Sequence, residues 1–147
     1  METPGHDDDC LTWIDTATGT AFTGDSIQGN GTPTQGVGFY RDLAAYRRSL
    51  GKLSELNLQN LVCGHDYAGI GSVVKGRKAV MEALSYCSGM VDLYGSKIKE
   101  YLACGVPVED EPVSLALKLI GEVGCGMPES LFLALHTVSE HLKEINK

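Results

Sequence analysis

The sequence has no Cys-x-x-Cys pair, and its five cysteines (Cys10, Cys63, Cys87, Cys104 and Cys125) are scattered and odd in number. That argues against a disulfide framework and for reduced, mostly buried thiols in a cytosolic protein. No apolar run approaches the ~20 residues a membrane-spanning helix needs, so no membrane association is expected. The N-terminus is acidic where a signal peptide would be basic and then apolar, and no secretion signal is expected. Without one, the formal glycosylation acceptor Asn30-Gly31-Thr32 carries little weight. A basic stripe is also missing. The net charge is −7, and the short clusters Arg47-Arg48 and Lys75-Gly76-Arg77-Lys78 read as solvated helix surface, which argues against a nucleic-acid partner. The Gly-rich stretch 27–38 lacks the Gly-Lys-Ser/Thr ending of a phosphate loop and reads as a flexible loop at the mouth of a pocket.

What is present is an ordinary globular composition: 147 residues, 43% apolar and 21% charged, one domain by size with a modest core. Its chemistry is concentrated in three loops. Thr3-Pro4-Gly5-His6 places an imidazole after a Pro-Gly turn. Ala21-Phe22-Thr23-Gly24-Asp25-Ser26 runs a β-prone stretch into Gly and a carboxylate. Leu61-Val62-Cys63-Gly64-His65 runs an apolar strand into Gly and a second imidazole. Imidazole and carboxylate together are ligands for zinc, iron or manganese. Taken singly, Asp25 reads as an Asx-turn or helix cap and each His as surface; the ordered set favours ligation.

Thr-Pro-Gly-His, then a hairpin into Phe-Thr-Gly-Asp, then a helix, then a strand into Gly-His resembles the metallo-β-lactamase fold superfamily over roughly residues 2 to 103. The resemblance is to the C-terminal half of that domain. It implies an αββα sandwich cut in half, with residues 1–105 as the half-domain and 106–147 as a helical C-terminal extension. It further implies that His6 binds one metal, Asp25 bridges two and His65 binds the second, with zinc as the expected ion and iron or manganese as alternatives. The family's His-x-His-x-Asp-His motif is absent, since the histidines are His6, His65, His136 and His141. The chain is therefore expected to be incomplete as an enzyme and to supply part of a dinuclear site.

Local patterns fill in the elements. Leu11–Asp15 and Thr20–Thr23 read as a hairpin around the turn Thr16–Gly19. A helix is predicted over 39–56, with Leu43, Tyr46, Leu50 and Leu53 on one face. Residues 58–63 read as a buried strand presenting His65 at its carboxyl end. Gly69-Ile70-Gly71 reads as a turn and Ser72 as the cap of a long helix over 73–103, kinked or divided at Gly89 or Gly95, and ended by Gly105-Val106-Pro107. Asp110-Glu111-Pro112 starts a further helix burying Val113, Ala116, Leu117, Ile120 and Val123. A last helix carries Leu131, Leu135, Val138, Leu142 and Ile145. His136 and His141 read as packed or solvent-facing, not as ligands. Asp7, Asp8 and Asp9 read either as a solvated acidic loop or as supplying one carboxylate that orients His6. Asp66, Tyr67 and Cys63 read mainly as packing, with a place beside the site as the alternative.

Two functions follow. One is a metal-dependent hydrolase of a small-molecule ester, thioester or related bond, acting through metal-activated water and completed by a complementary N-terminal half. The other is a non-catalytic half-domain whose exposed sheet and helical tail mediate homo-oligomerisation. An unrelated α/β protein with coincidental Gly-His and Gly-Asp loops is a third reading.

Overall fold

A computed structural model describes residues 1–105 and 111–147. Its elements are β1 (Trp13–Asp15), β2 (Thr20–Gly24), α1 (Leu43–Ser54), β3 (Asn60–Tyr67), β4 (Gly71–Lys75), α2 (Arg77–Ala103), α3 (Glu111–Val123) and α4 (Phe132–Ile145). The strands form one sheet in the order β1-β2-β3-β4, with β2 and β3 parallel and the outer pairs antiparallel. The fold is thus mixed α/β, a four-stranded mixed sheet with four helices among the described residues.

The hairpin forms where the sequence places it. Asp15 closes the turn by accepting hydrogen bonds from Ala17 N–H at 3.0 Å and the Thr18 hydroxyl at 2.6 Å. The parallel β2-α1-β3 unit needs a helix to bridge its ends. That helix buries Leu43, Tyr46, Leu50 and Leu53, the predicted face. It begins four residues later than predicted because the backbone at Asp42 is extended, with φ −133° and ψ 103°, and the residues before it bond to other segments. Phe39 N–H goes to Gln28, and Arg41 and Asp42 N–H both go to the Gly5 carbonyl. Asp42 then caps the helix through Ala45 N–H at 2.8 Å.

β3 is longer than predicted. It continues through Gly64 and His65 to Tyr67 and returns as β4, with an irregularity in the pairing between Val62 and Tyr67. His65 therefore lies within the strand and not past its end. Residues 73–75, predicted as helix, are strand, and Ser72 caps nothing; the break comes at Gly76, whose φ of 89° suits glycine. α2 runs unbroken through Gly89 and Gly95. Gly95 instead provides a close approach, since a Cβ there would sit 3.3 Å from His141 Nδ1 on α4.

The C-terminal helices pack onto the same core as the sheet, with Leu115, Ala116, Leu119, Ile120, Ala134 and Val138 joining Leu61, Leu84 and Ile98. On α3 the buried stripe is rotated from the predicted one: Leu115 and Leu119 are inside, while Val113 and Leu117 are exposed. Ala116 and Ile120 are common to both stripes. On α4 the predicted leucines flank the contact and Val138 lies within it, beside Ala134, Thr137 and His141. The 105/106 boundary, the helix stop at Val106-Pro107 and the acidic start at Asp110 fall on or beside residues outside those described.

The sheet has two unlike faces. In register across the four strands, Ile14, Ala21, Leu61 and Val74 turn toward the helices. On the other side Trp13, Phe22, Val62 and Val73 form an apolar row, with Trp13 73% and Val73 51% exposed. No helix among the described residues is long and apolar enough to cross a membrane.

His141 is fully buried, with Nε2 2.5 Å from the Tyr40 hydroxyl and Nδ1 lacking a hydrogen-bond partner among the described residues. Burial, reinforced by the positive charge of Arg47, pushes its imidazole down to about 4 from the ordinary 6.5. Between those values the unfolded chain binds the proton and the folded chain does not. This contribution to stability is therefore full above pH 6.5 and is lost as the pH falls toward 4. The loss is roughly 3 kcal/mol over that window. Urea melts at about pH 7 and about pH 4.5 should show a steeper pH dependence in the wild type than in His141→Gln; equal dependence would contradict the assignment.

Candidate metal centre

Three segments far apart in sequence bring His6, Asp25 and His65 together. His6 is delivered by Gly5, which packs flat against α1: a Cβ there would meet the Tyr46 backbone at 2.5 Å, and its φ of 142° disfavours any side chain. The carbonyls of this segment anchor it, Gly5 O to Arg41 and Asp42 N–H, and Pro4 O to the Ser49 hydroxyl at 2.6 Å. The buried Thr3 hydroxyl lies 2.9 Å from that of Thr12 and 2.8 Å from that of Ser26. That cluster fastens the His6 segment to both the hairpin and the loop carrying Asp25. Asp25 in turn lies against Gly64, where any Cβ would run into its Oδ1. The glycine before His65 is required by this close approach.

The resulting geometry divides the carboxylate between the two imidazoles. His6 Nε2 is 3.9 Å from Asp25 Oδ2, and His65 Nε2 is 3.6 Å from Asp25 Oδ1. His6 is the more enclosed, with Phe39 edge-on at 5.1 Å, and His65 the more open, at 59% side-chain exposure. Among the described residues no three His, Cys, Asp or Glu side chains converge on one ion-sized point. The set fits two positions on either side of one carboxylate, each short of a full shell, and does not fit one closed ion site.

The partners of these side chains differ from expectation. None of Asp7, Asp8 and Asp9 supports the His6 ring. Asp7 faces Arg41 at 3.4 Å and accepts from Asp8 N–H, while His6 Nδ1 lies 2.6 Å from Gln28 Nε2 and 3.4 Å from the Phe39 carbonyl. Tyr67 does not face a substrate: it is buried, and its hydroxyl donates to Asp25 Oδ1 at 2.6 Å. Burial and that bond to the carboxylate hold its phenol well above the usual range. Cys63 is a buried thiol, likewise pushed up chiefly by burial. The Gly-rich stretch is mostly packed inside, with Ile27, Gln28 and Val37 buried; only residues around 32–34 reach the surface. There, Thr32 to Gln35 line a cleft of about 590 Å³ with His65, Asp66 and Leu133 of α4. His136 is exposed and touches Phe39 and Phe132, and His141 is buried against Tyr40, so neither C-terminal histidine joins His6, Asp25 and His65.

Gln28 and Leu133 were not singled out by the sequence reading. A glutamine within a Gly-rich stretch gives no local sign of burial, and Leu133 enters only through the docking of α4.

No family model matches the chain, and no curated protein matches it.

Removing the Tyr67 hydroxyl leaves one oxygen of Asp25 without its donor. Tyr67→Phe should lower stability in urea melts by about 1.5–3 kcal/mol, the range for a hydrogen bond to a charged group. An unchanged midpoint would mean that this bond does not fasten the carboxylate.

Proposed function

We propose that the chain supplies the Asp25-centred half of a dinuclear metal hydrolase of the metallo-β-lactamase type. The observation that carries this reading is the split carboxylate: each oxygen of Asp25 faces a different imidazole nitrogen. A carboxylate so placed can bridge two ions, with His6 and His65 as one nitrogen ligand each. Zinc suits this donor set, with iron or manganese as alternatives. When bound, such ions would lower the pKa of a water toward neutrality and take up charge on the oxygen of a polarised ester or thioester.

The chain's own groups have separate tasks. Tyr67 fixes the Asp25 carboxylate, and Gly64 lets it lie close against β3. The cleft beside His65 gives a small-molecule substrate room next to the site, with Thr32, Thr34 and Gln35 as its polar lining and Leu133 as an apolar wall. The ligands still missing must come from elsewhere. The bare row Trp13, Phe22, Val62 and Val73 is the kind of surface a second sheet covers, about 10 Å away in a sandwich. A complementary N-terminal half carrying the remaining ligands would meet both needs. A cytoplasmic setting is in keeping with five unbridged cysteines.

The same bare row favours a second reading, a non-catalytic module that self-associates through its sheet. Metal binding separates the two. In equilibrium dialysis against zinc the wild-type chain should take up metal, and Asp25→Ala and His65→Ala should each lose most of it with an unchanged near-UV circular dichroism spectrum. Equal uptake by all three proteins would remove the site assignment and leave the module.

A further inference from the structure

The amide of Gln28 sits at the back of His6, fully buried, and its orientation is set by backbone groups. Thr32 N–H donates to Gln35 Oε1 at 2.8 Å, which turns the Gln35 amide so that its Nε2 donates to Gln28 Oε1 at 3.2 Å. Phe39 N–H donates to the same Gln28 oxygen at 2.9 Å. On the other side, Gln28 Nε2 donates to the Asp25 carbonyl at 3.2 Å. Reversing the amide would set an oxygen against that carbonyl and an NH₂ against two donors. The remaining N–H of Gln28 therefore points at His6 Nδ1, 2.6 Å away.

A ring nitrogen that receives a hydrogen bond carries no proton. We infer that Gln28 holds neutral His6 as the Nε2–H tautomer, with the proton on the nitrogen that faces Asp25, and so sets how readily His6 becomes a metal ligand. This rests on the proposed function only in taking His6 Nε2 as the metal-binding atom. Ligation needs the Nε2 lone pair, so the proton must move to Nδ1, where the Phe39 carbonyl at 3.4 Å can accept it. In that form the Gln28 amide opposes Nδ1–H, donor against donor. Metal-bound histidines ordinarily have an acceptor behind the ring; here a donor occupies that place. Gln28 is a positioning residue whose effect is to favour the metal-free state at His6.

The test is a long-range ¹H–¹⁵N correlation spectrum of the histidine-labelled full chain at about pH 8.5, where an ordinary imidazole is neutral. His6 is assigned by the signal lost in His6→Gln. The expected wild-type pattern is a protonated Nε2 and a bare, hydrogen-bonded Nδ1. In Gln28→Glu the acceptor replaces the donor, and the pattern should invert to Nδ1–H. Gln28→Met, with no donor, should relax toward a mixture. A wild-type ring protonated at Nδ1 overturns the inference without any variant, and so does a tautomer unmoved in folded Gln28→Glu and Gln28→Met. Zinc titrated into the same samples should shift His6 on the order of 10-fold more readily in Gln28→Glu than in the wild type. A tautomer as expected with no zinc effect on His6 or His65 in any protein would overturn the metal reading and leave the Gln28–His6 assignment standing. Zinc binding to a wild-type ring already protonated at Nδ1 would do the reverse.

Discussion

The site depends on one carboxylate being drawn down onto a strand. Asp25 lies against Gly64 because the Tyr67 hydroxyl, 42 residues away in sequence, holds its Oδ1 at 2.6 Å and because no side chain intervenes. From that position its two oxygens reach toward His6 on one side and His65 on the other. Gly64 is thus there for close approach, whereas Gly24, with φ 52° and open space where a Cβ would sit, is there for its backbone conformation. Gly5 does for the His6 segment against α1 what Gly64 does for Asp25 against β3.

Around this carboxylate the scaffold works by committing polar groups of one segment to another. The Thr3, Thr12 and Ser26 hydroxyls tie the first residues, the hairpin and the Asp25 loop into one buried cluster. The Gly5 carbonyl accepts from the Arg41 and Asp42 amides ahead of α1, and the Gln28 side chain accepts from that of Phe39. The C-terminal helices add to the same arrangement. Asn30 Nδ2 donates to the Val123 carbonyl at 2.7 Å, and the Thr137 hydroxyl donates to the Gly38 carbonyl at 2.8 Å, so the Gly-rich stretch is held from above by α3 and α4. The extension thereby shapes the loop that borders the cleft at His65.

The parts that were legible in the sequence are those set by neighbours in the chain. The hairpin, the turns that carry His6 and Asp25, and the buried face of α1 follow from turn chemistry and periodicity, whereas the strand expected to end before His65 in fact runs through it. Residues 73–75 of β4 read as helix because Ser72 has the chemistry of a helix cap, and a strand of five residues is too short to show its own alternation. Gln28 shows no local sign of burial, and the packing expected of Tyr67 and the packed alternative for His141 hold without the sequence naming their partners. Each is polar and buried, and a polar residue is buried only where a distant partner satisfies it: Asp25 for Tyr67, Tyr40 for His141, and Phe39 with Gln35 for Gln28. Such partners are set by the tertiary fold and leave no local pattern.

The most direct measurement is anomalous diffraction at the zinc edge from crystals of the chain soaked in zinc. Two peaks flanking the Asp25 carboxylate are predicted, one within about 2.0–2.1 Å of His6 Nε2 and the other at the same distance from His65 Nε2. Zinc found only away from Asp25, or a single ion held by neither histidine, would contradict the bridging role that the account assigns to that carboxylate.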